Sequence, residues 1–208
     1  MTENASKAPQ AIWADDSPQP LMPYSPAVKA GGWLFISGQL ASDFKTGIAP
    51  EAEPPNPNVE GRLKWQSHYL LKNINKVVEA AGMDLSKDAV RIWQWFTSPY
   101  PTLEEFADGE TWPRISITDY LNARNNYILE PRPASTGMGM KELPVRGALV
   151  EVDMILIEGG KSDGYSTPED VPSPLAGYSP AIRRGDWVFL AGEIPVDWKG
   201  DYGASKRW

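Results

Sequence analysis

Along this chain the spacing of hydrophobic and polar positions changes several times, and each change marks an element. From Trp33 to Leu40 (WLFISGQL) the alternation places Trp33, Phe35, Ser37 and Gln39 on one side, and Leu34, Ile36, Gly38 and Leu40 on the other. Apolar groups on both sides predict a strand buried on both faces. A short strand before it and the Gly31-Gly32 pair between them predict a β-hairpin. From Asn58 to Ala81 the spacing becomes helical: Leu63, Leu70, Ile74, Val77 and Ala81 share one stripe, while Lys64, His68, Lys72 and Lys76 share another. Asn58 is the expected N-cap, Glu60 falls in the first turn, and Gly82 closes the helix.

Ala89 to Thr97 (AVRIWQWFT) is β-branched and aromatic and predicts a strand of the same sheet. Ser98 to Pro113 is expected to be a loop, and Ile115 to Leu129 a weaker helix with Ile117, Leu121, Tyr127 and Ile128 inward. Arg132 to Met140 is extended, and Ala148 to Ile157 (ALVEVDMILI) is the most apolar strand. Met1 to Met22 is polar and aperiodic and is expected to be a flexible arm; Gly159 to about Ala176 reads as a linker. The order β-β-α-β-α-β-β predicts an α+β fold, one sheet with two helices on one face. Two helices leave the other face open, and self-association of sheets is the expected remedy.

The hairpin occurs twice. Tyr24–Lys45 (YSPAVKAGGWLFISGQLASDFK) aligns without a gap on Tyr178–Lys199 (YSPAIRRGDWVFLAGEIPVDWK), with 10 of 22 positions identical. Nothing that follows the second copy supplies the helices or the central strand, and Ala191 and Glu193 replace Ser37 and Gln39. A two-stranded ribbon alone is marginal in water. Residues 177–208 are therefore expected to be either part of a truncated tandem, the favoured alternative, or a hairpin docked on the first domain or on a neighbour.

Composition narrows the function. A net charge of −7 sets the chain apart from nucleic-acid and anionic-membrane binders, whose affinity comes from basic patches. Zero cysteines exclude disulfides, thiolate nucleophiles and thiolate metal sites. No apolar run is long enough to span a bilayer and the N-terminus lacks a signal-peptide core, so a cytoplasmic protein is the default expectation.

Glu151 and Asp153 lie two apart on the last strand, hence on one face about 7 Å apart, while Val150, Val152 and Met154 face the other way. A carboxylate among apolar strands tends to have a raised pKa, which suits acid/base work on water. The alternative is that both acids sit at the sheet rim and bond to Arg146 or Arg91. His68 is the one histidine and shares the lysine stripe, which makes it a solvated residue rather than a ligand or catalyst. Gly137-Met138-Gly139 lacks the Lys-Ser/Thr of a phosphate cradle and more simply marks a close backbone approach or a bend. Most of the nine tryptophans fall at strand positions and predict packing; Trp112, in the acidic loop, is the candidate pocket lid.

YSPAV, the strand ending SGQ, a long helix ending EAAG, RPAST, and LP followed by ALVEVD together resemble the Rid (YjgF) family, across roughly Pro23 to Glu158. The resemblance implies a chorismate-mutase-like fold and a homotrimer whose sheets form a central barrel, with a small-molecule site in each cleft between subunits. It further implies hydrolysis of reactive enamines and imines to ketone and ammonia without metal or organic cofactor. Carried over, the pocket tyrosine is Tyr24, the groups after the second strand are Ser37 and Gly38, and the water-directing carboxylate is Glu151. The helix asparagine is Asn122 or Asn125. Deaminating members carry an arginine after Pro-Ala that grips the substrate carboxylate; this chain has Ser135 there, with Arg132 and Arg146 the nearest replacements. Three functions follow: an imine or enamine deaminase, acting for instance on an amino-dienoate from aromatic catabolism; a binding or regulatory module without chemistry; and, against the charge and the lone histidine, a ribonuclease or translation inhibitor.

Overall fold

The computed structural model describes residues 8–58, 60–97, 107, 117–160, 162–169 and 176–193. Trp112 and the start of the expected second helix at Ile115 lie outside them. Strands β1 (Gln10–Ile12), β2 (Ala27–Ala30), β3 (Trp33–Leu40), β4 (Ala89–Thr97), β5 (Ala134–Met140) and β6 (Val150–Ile157) form one sheet in the order β1-β2-β3-β6-β4-β5. Only β4 and β5 run parallel. Helices α1 (Arg62–Ala80) and α3 (Thr118–Asn125) lie on one face, with the single-turn α2 (Leu85–Asp88) leading into β4. No helix among the described residues is long and apolar enough to cross a membrane.

The expected apolar stripe of α1 is the centre of the core. Leu70, Ile74 and Val77 meet Leu34, Ile36, Val150, Val152, Met154 and Leu156 from the strands, and Tyr120 of α3 stacks edge-on against Phe96 at 5.2 Å. Gly82 ends α1 at φ 70°, where a left-handed residue favours glycine. The start of the helix differs from expectation. It begins behind Gly61 with no side-chain cap, because Asn58 is spent in a proline-bearing turn, its N–H donating to Asn56 Oδ1 at 3.1 Å. Glu60 lies ahead of the first turn and accepts from Trp65 Nε1.

Two segments expected to be irregular are held by tertiary pairing. In the N-terminal arm β1 adds to the edge of β2, Ala14 enters the core, and Asp16 pairs with Lys76 at 2.9 Å. In the expected linker, β7 (Asp163–Tyr165) pairs with β8 (Ala181–Arg184), which pairs with β9 (Trp187–Leu190). A bare strand edge recruits a short polar segment whatever its own propensity.

The alternation along β3 also breaks. Ile36 opposes Met154 but Gln39 opposes Val152, so one extra residue is inserted at Ser37–Gly38. Beyond this bulge the faces swap: Gln39 turns toward the helices and Leu40 toward the face of Glu151. On β6 the expected division holds, with Val150, Val152 and Met154 buried under the helices and Glu151 and Asp153 on the opposite face.

That opposite face carries Phe35, Trp93, Trp95, Met138 and Ile155, and Phe35 is 44% exposed rather than buried. Its far end is covered by the second hairpin: Ile182, Phe189 and Ala191 pack on Val90, Ala134, Ile155 and Ile157. The fold implies an asymmetry between the two hairpin copies that stability measurements can read. Leu34→Ala should cost about 2–5 kcal/mol in urea unfolding. Val188→Ala, at the equivalent position of the second copy but 55% exposed, should cost less than about 1 kcal/mol.

Candidate functional site

The bulge at Ser37–Gly38 makes the site. It takes two residues out of regular pairing with β6 at the point where Glu151 stands opposite Leu40. Ser37 is fixed from behind: its N–H donates to Pro26 O at 3.1 Å, and its hydroxyl lies 2.8 Å from Ser25 O and 3.0 Å from Pro26 O. Gln39 Nε2 donates to Ser37 O at 3.1 Å. A Cβ on Gly38 would lie 2.0 Å from Glu151 Oε1, so the absence of a side chain there is what lets the carboxylate reach the cleft.

Glu151 has no hydrogen-bond or ion-pair partner among the described residues. Burial raises its pKa, and the neighbouring charge of Asp153 adds to the rise. Tyr24 is shifted up in turn by burial and then by the charge of Glu151, which keeps its phenol neutral. Asp153 is different, because Trp95 Nε1 donates to its Oδ2 at 2.6 Å. Burial pushes its pKa up while that bond opposes the rise. The partner of Asp153 is therefore an indole, rather than Arg146 or Arg91. Arg91 lies over the Trp93 ring at 4.4 Å and donates to Thr136.

Tyr24, Ser37, Gly38 and Glu151 line one cleft of about 620 Å³. Its apolar wall comes from Leu21, Met22, Leu40, Phe44, Pro144 and Val145, and Ser42 and Lys45 add polar groups. Phe44 sits at φ 56°, a left-handed conformation that bulky residues rarely adopt. The turn around it holds it there. Phe44 N–H donates to Ser42 Oγ at 2.9 Å, and Asp43 accepts from the N–H groups of Lys45 and Thr46 and from the Thr46 hydroxyl. Those bonds, Thr46 first, pull the Asp43 carboxyl down to about 2. The sequence shows Phe44 and Lys45 as the start of a connection, to Asn58, that is rich in proline and acid, and does not point to them as site residues. The Asp-x-x-Thr-Gly run at Asp43–Gly47 is the signal of this turn.

Five residues expected at the site stand elsewhere in the chain. Asn122 and Asn125 are exposed on α3, and Asn125 Oδ1 accepts from Arg124. Arg132 donates to Gly177 O and pairs with Glu130. Ser135 is buried, and its hydroxyl accepts from Gln94 Nε2 at 2.7 Å. Arg146 is exposed on a neighbouring depression with Thr97 and Leu149. Lys45 is the one cation lining the cleft among the described residues. No group of three or more His, Asp or Glu side chains among them is placed to hold a metal ion.

Comparison with known proteins bears on the same residues. A family model described as endoribonuclease L-PSP matches residues 14–158. A RutC family protein of Pyrococcus horikoshii is 30% identical over 146 residues, which are 70% of this chain and 95% of that protein. The 2-iminobutanoate/2-iminopropanoate deaminase of Dermatophagoides farinae is 28% identical over 141 residues, 68% of this chain and 90% of that protein. Among solved structures, RidA from an Antarctic Psychrobacter species superposes with a TM-score of 0.51 at 29% identity, covering 71% of this chain and 98% of that one. The matched span contains the six-stranded sheet from β2 onward, both covering helices and the whole lining of the cleft. The chain belongs to the endoribonuclease L-PSP family, the YjgF/RidA/RutC group.

Proposed function

We propose that the cleft hydrolyses a reactive imine or enamine to the ketone and ammonia, with Glu151 as general acid and base. The observation that carries this is a half-buried carboxylate, raised in pKa and without a hydrogen-bond or ion-pair partner among the described residues, opening onto a largely apolar cleft. Ionised Glu151 takes a proton from water as the oxygen bonds to the imine carbon. The same proton then passes to nitrogen, which accepts the electron pair of the C=N bond. In the second half Glu151 takes the carbinolamine hydroxyl proton and passes it to the amino nitrogen, the C–N bond breaks with its electron pair going to the departing ammonia, and the O–H pair closes the carbonyl. No electrons are gained or lost overall. A carboxyl poised above its ordinary pKa suits both halves of the cycle. The neutral Tyr24 hydroxyl is a donor suited to the oxygen that develops. An enamine enters the same path after protonation at carbon.

The relative named as a 2-iminobutanoate/2-iminopropanoate deaminase supports this chemistry. The size of the cleft favours a larger substrate than those. At about 30 Å³ per heavy-atom group, a four-carbon imino acid fills roughly 200 Å³, a third of the 620 Å³ present. Phe44 and the apolar wall suit an unsaturated or aromatic-derived chain such as an amino-dienoate, and Lys45 is the cation available for a carboxylate. A binding module without turnover is the second reading. It is favoured by one observation, the burial of Ser135 against Gln94 where deaminating members carry their arginine.

The two are separated by ammonia release from freshly generated imines, followed by coupled assay. Turnover is expected, and Glu151→Gln should lower it by about 10²–10⁴-fold while binding persists. Binding without ammonia in the unaltered protein would leave only the second role. Glu151→Gln should also raise the melting temperature at neutral and higher pH. A folded pKa above the unfolded one means that ionising Glu151 costs stability as pH rises through the folded value, so the difference should vanish below the unfolded pKa of about 4.3. The acid limb of kcat/KM should follow Glu151. Asp153→Asn removes the like charge but keeps an acceptor for Trp95, so the limb should move to lower pH. Gly38→Ala should leave the fold intact, because the obstructing atom is the end of a flexible side chain, and abolish turnover by displacing Glu151.

A further inference from the structure

The second hairpin poses a question independent of the chemistry in the cleft: what it occupies. It keeps the register of the first. Val28 opposes Phe35 and Ala30 opposes Trp33 in one copy, as Ile182 opposes Phe189 and Arg184 opposes Trp187 in the other. In the first copy Leu34 and Ile36 are the side that faces the helices, while Trp33 and Phe35 lie on the open side. In the second copy the sides divide the same way, but only one is covered. Ile182 is fully buried in the seat formed by Val90, Ala134, Ile155 and Ile157, and Phe189 packs there with it. Val188 and Leu190, the counterparts of Leu34 and Ile36, are 55% and 67% exposed. The hairpin thus presents to the sheet a copy of the first hairpin's open side. Like meets like at the seam, with Trp33 edge-on to its own counterpart Trp187 at 5.1 Å and tilted against Phe189 at 5.9 Å. Trp33 and Trp187 hold the same position in the repeat, so the seam brings equivalent residues of the two hairpins into contact.

One position departs from the repeat in a way that serves the seat. Where the first copy has Ala30, the second has Arg184, which is buried. It donates to Ile157 O and Lys87 O at 2.8 and 2.7 Å, to Ser162 Oγ at 2.8 Å and to Gly160 O, and lies 3.6 Å from Asp88. At the other end Gly192 N–H donates to Ser135 O at 3.0 Å. Phe35, the counterpart of the seated Phe189, remains 44% exposed on the first hairpin.

From this we infer that the second hairpin is an internal stand-in for the first hairpin of another copy of this chain. It fills, within one chain, a seat on the open sheet face that β2–β3 of a second copy fits by the same side chains, and Arg184 holds it there. The chain controls self-association through that seat by keeping its own hairpin in it.

The test uses the full chain. Ile182→Glu places a charge in the seat and should remove amide-exchange protection from residues 181–190, while α1 and β6 keep theirs. The weight-average mass by light scattering should then at least double relative to the unaltered protein, and adding Phe35→Glu should return it to the starting value. Lost hairpin protection with unchanged mass, or a mass increase that survives Phe35→Glu, overturns the inference. A second variant covers the case in which Ile182→Glu does not fold. A Cβ on Gly192 lies 3.1 Å from Thr136 Cβ, near the spacing of about 3.8 Å that a disulfide spans, and the chain has no cysteine of its own. Thr136→Cys with Gly192→Cys should close within one chain on mild oxidation, giving single-chain mass under denaturing conditions. A bridge between chains, or none, overturns the inference.

Discussion

The contact between Gly38 and Glu151 is the constraint on which the rest of the site depends. A glutamate on a central strand would normally be crowded by the side chains of its neighbours or paired with a cation. Here the neighbouring strand gains one residue, and the residue closest to the carboxylate has no side chain. The same irregularity turns Gln39 inward and brings Leu40 round to the cleft wall. The freed carboxylate, the place of Leu40 in the cleft wall and the buried amide are thus consequences of a single inserted residue.

Coverage of the sheet is the second organising requirement. The helices α1 and α3 bury one side completely, and the strands contribute their largest apolar groups to it. The other side is aromatic and only partly covered, by a ribbon drawn from the same chain. That ribbon is too small to fold alone. It is ordered by a third strand, β7, by the hydrophobic seat and by the bonds of its own buried Arg184 to carbonyls as distant in sequence as that of Lys87.

What could be read from the sequence followed the range of the interaction concerned. The stripe of α1, the runs of β4 and β6 and both hairpin turns are encoded by near neighbours, and they stand where the periodicity put them. β1 and β7 are three residues each and exist because an edge was free, which no local pattern announces. The reversal of Gln39 and Leu40 escaped because counting alternate positions assumes that no residue is inserted. At the site, Tyr24, Ser37, Gly38 and Glu151, which only the family resemblance groups, line one cleft. Phe44 and Lys45 were missed because their direction depends on side-chain bonds to the backbone of a turn. Asn122, Asn125, Arg132, Ser135 and Arg146 are spread over α3, the β5 entry and a depression beside the cleft, so no single chain gathers them at Glu151.

The left-handed backbone at Phe44 has a further consequence. A bulky residue held in that conformation costs on the order of 1–2 kcal/mol, which the Asp43 turn offsets in the resting protein. The backbone that carries the aromatic wall is consequently set before any guest arrives. A planar molecule entering beside it would meet a surface already shaped, and little ordering entropy would be deducted from its affinity.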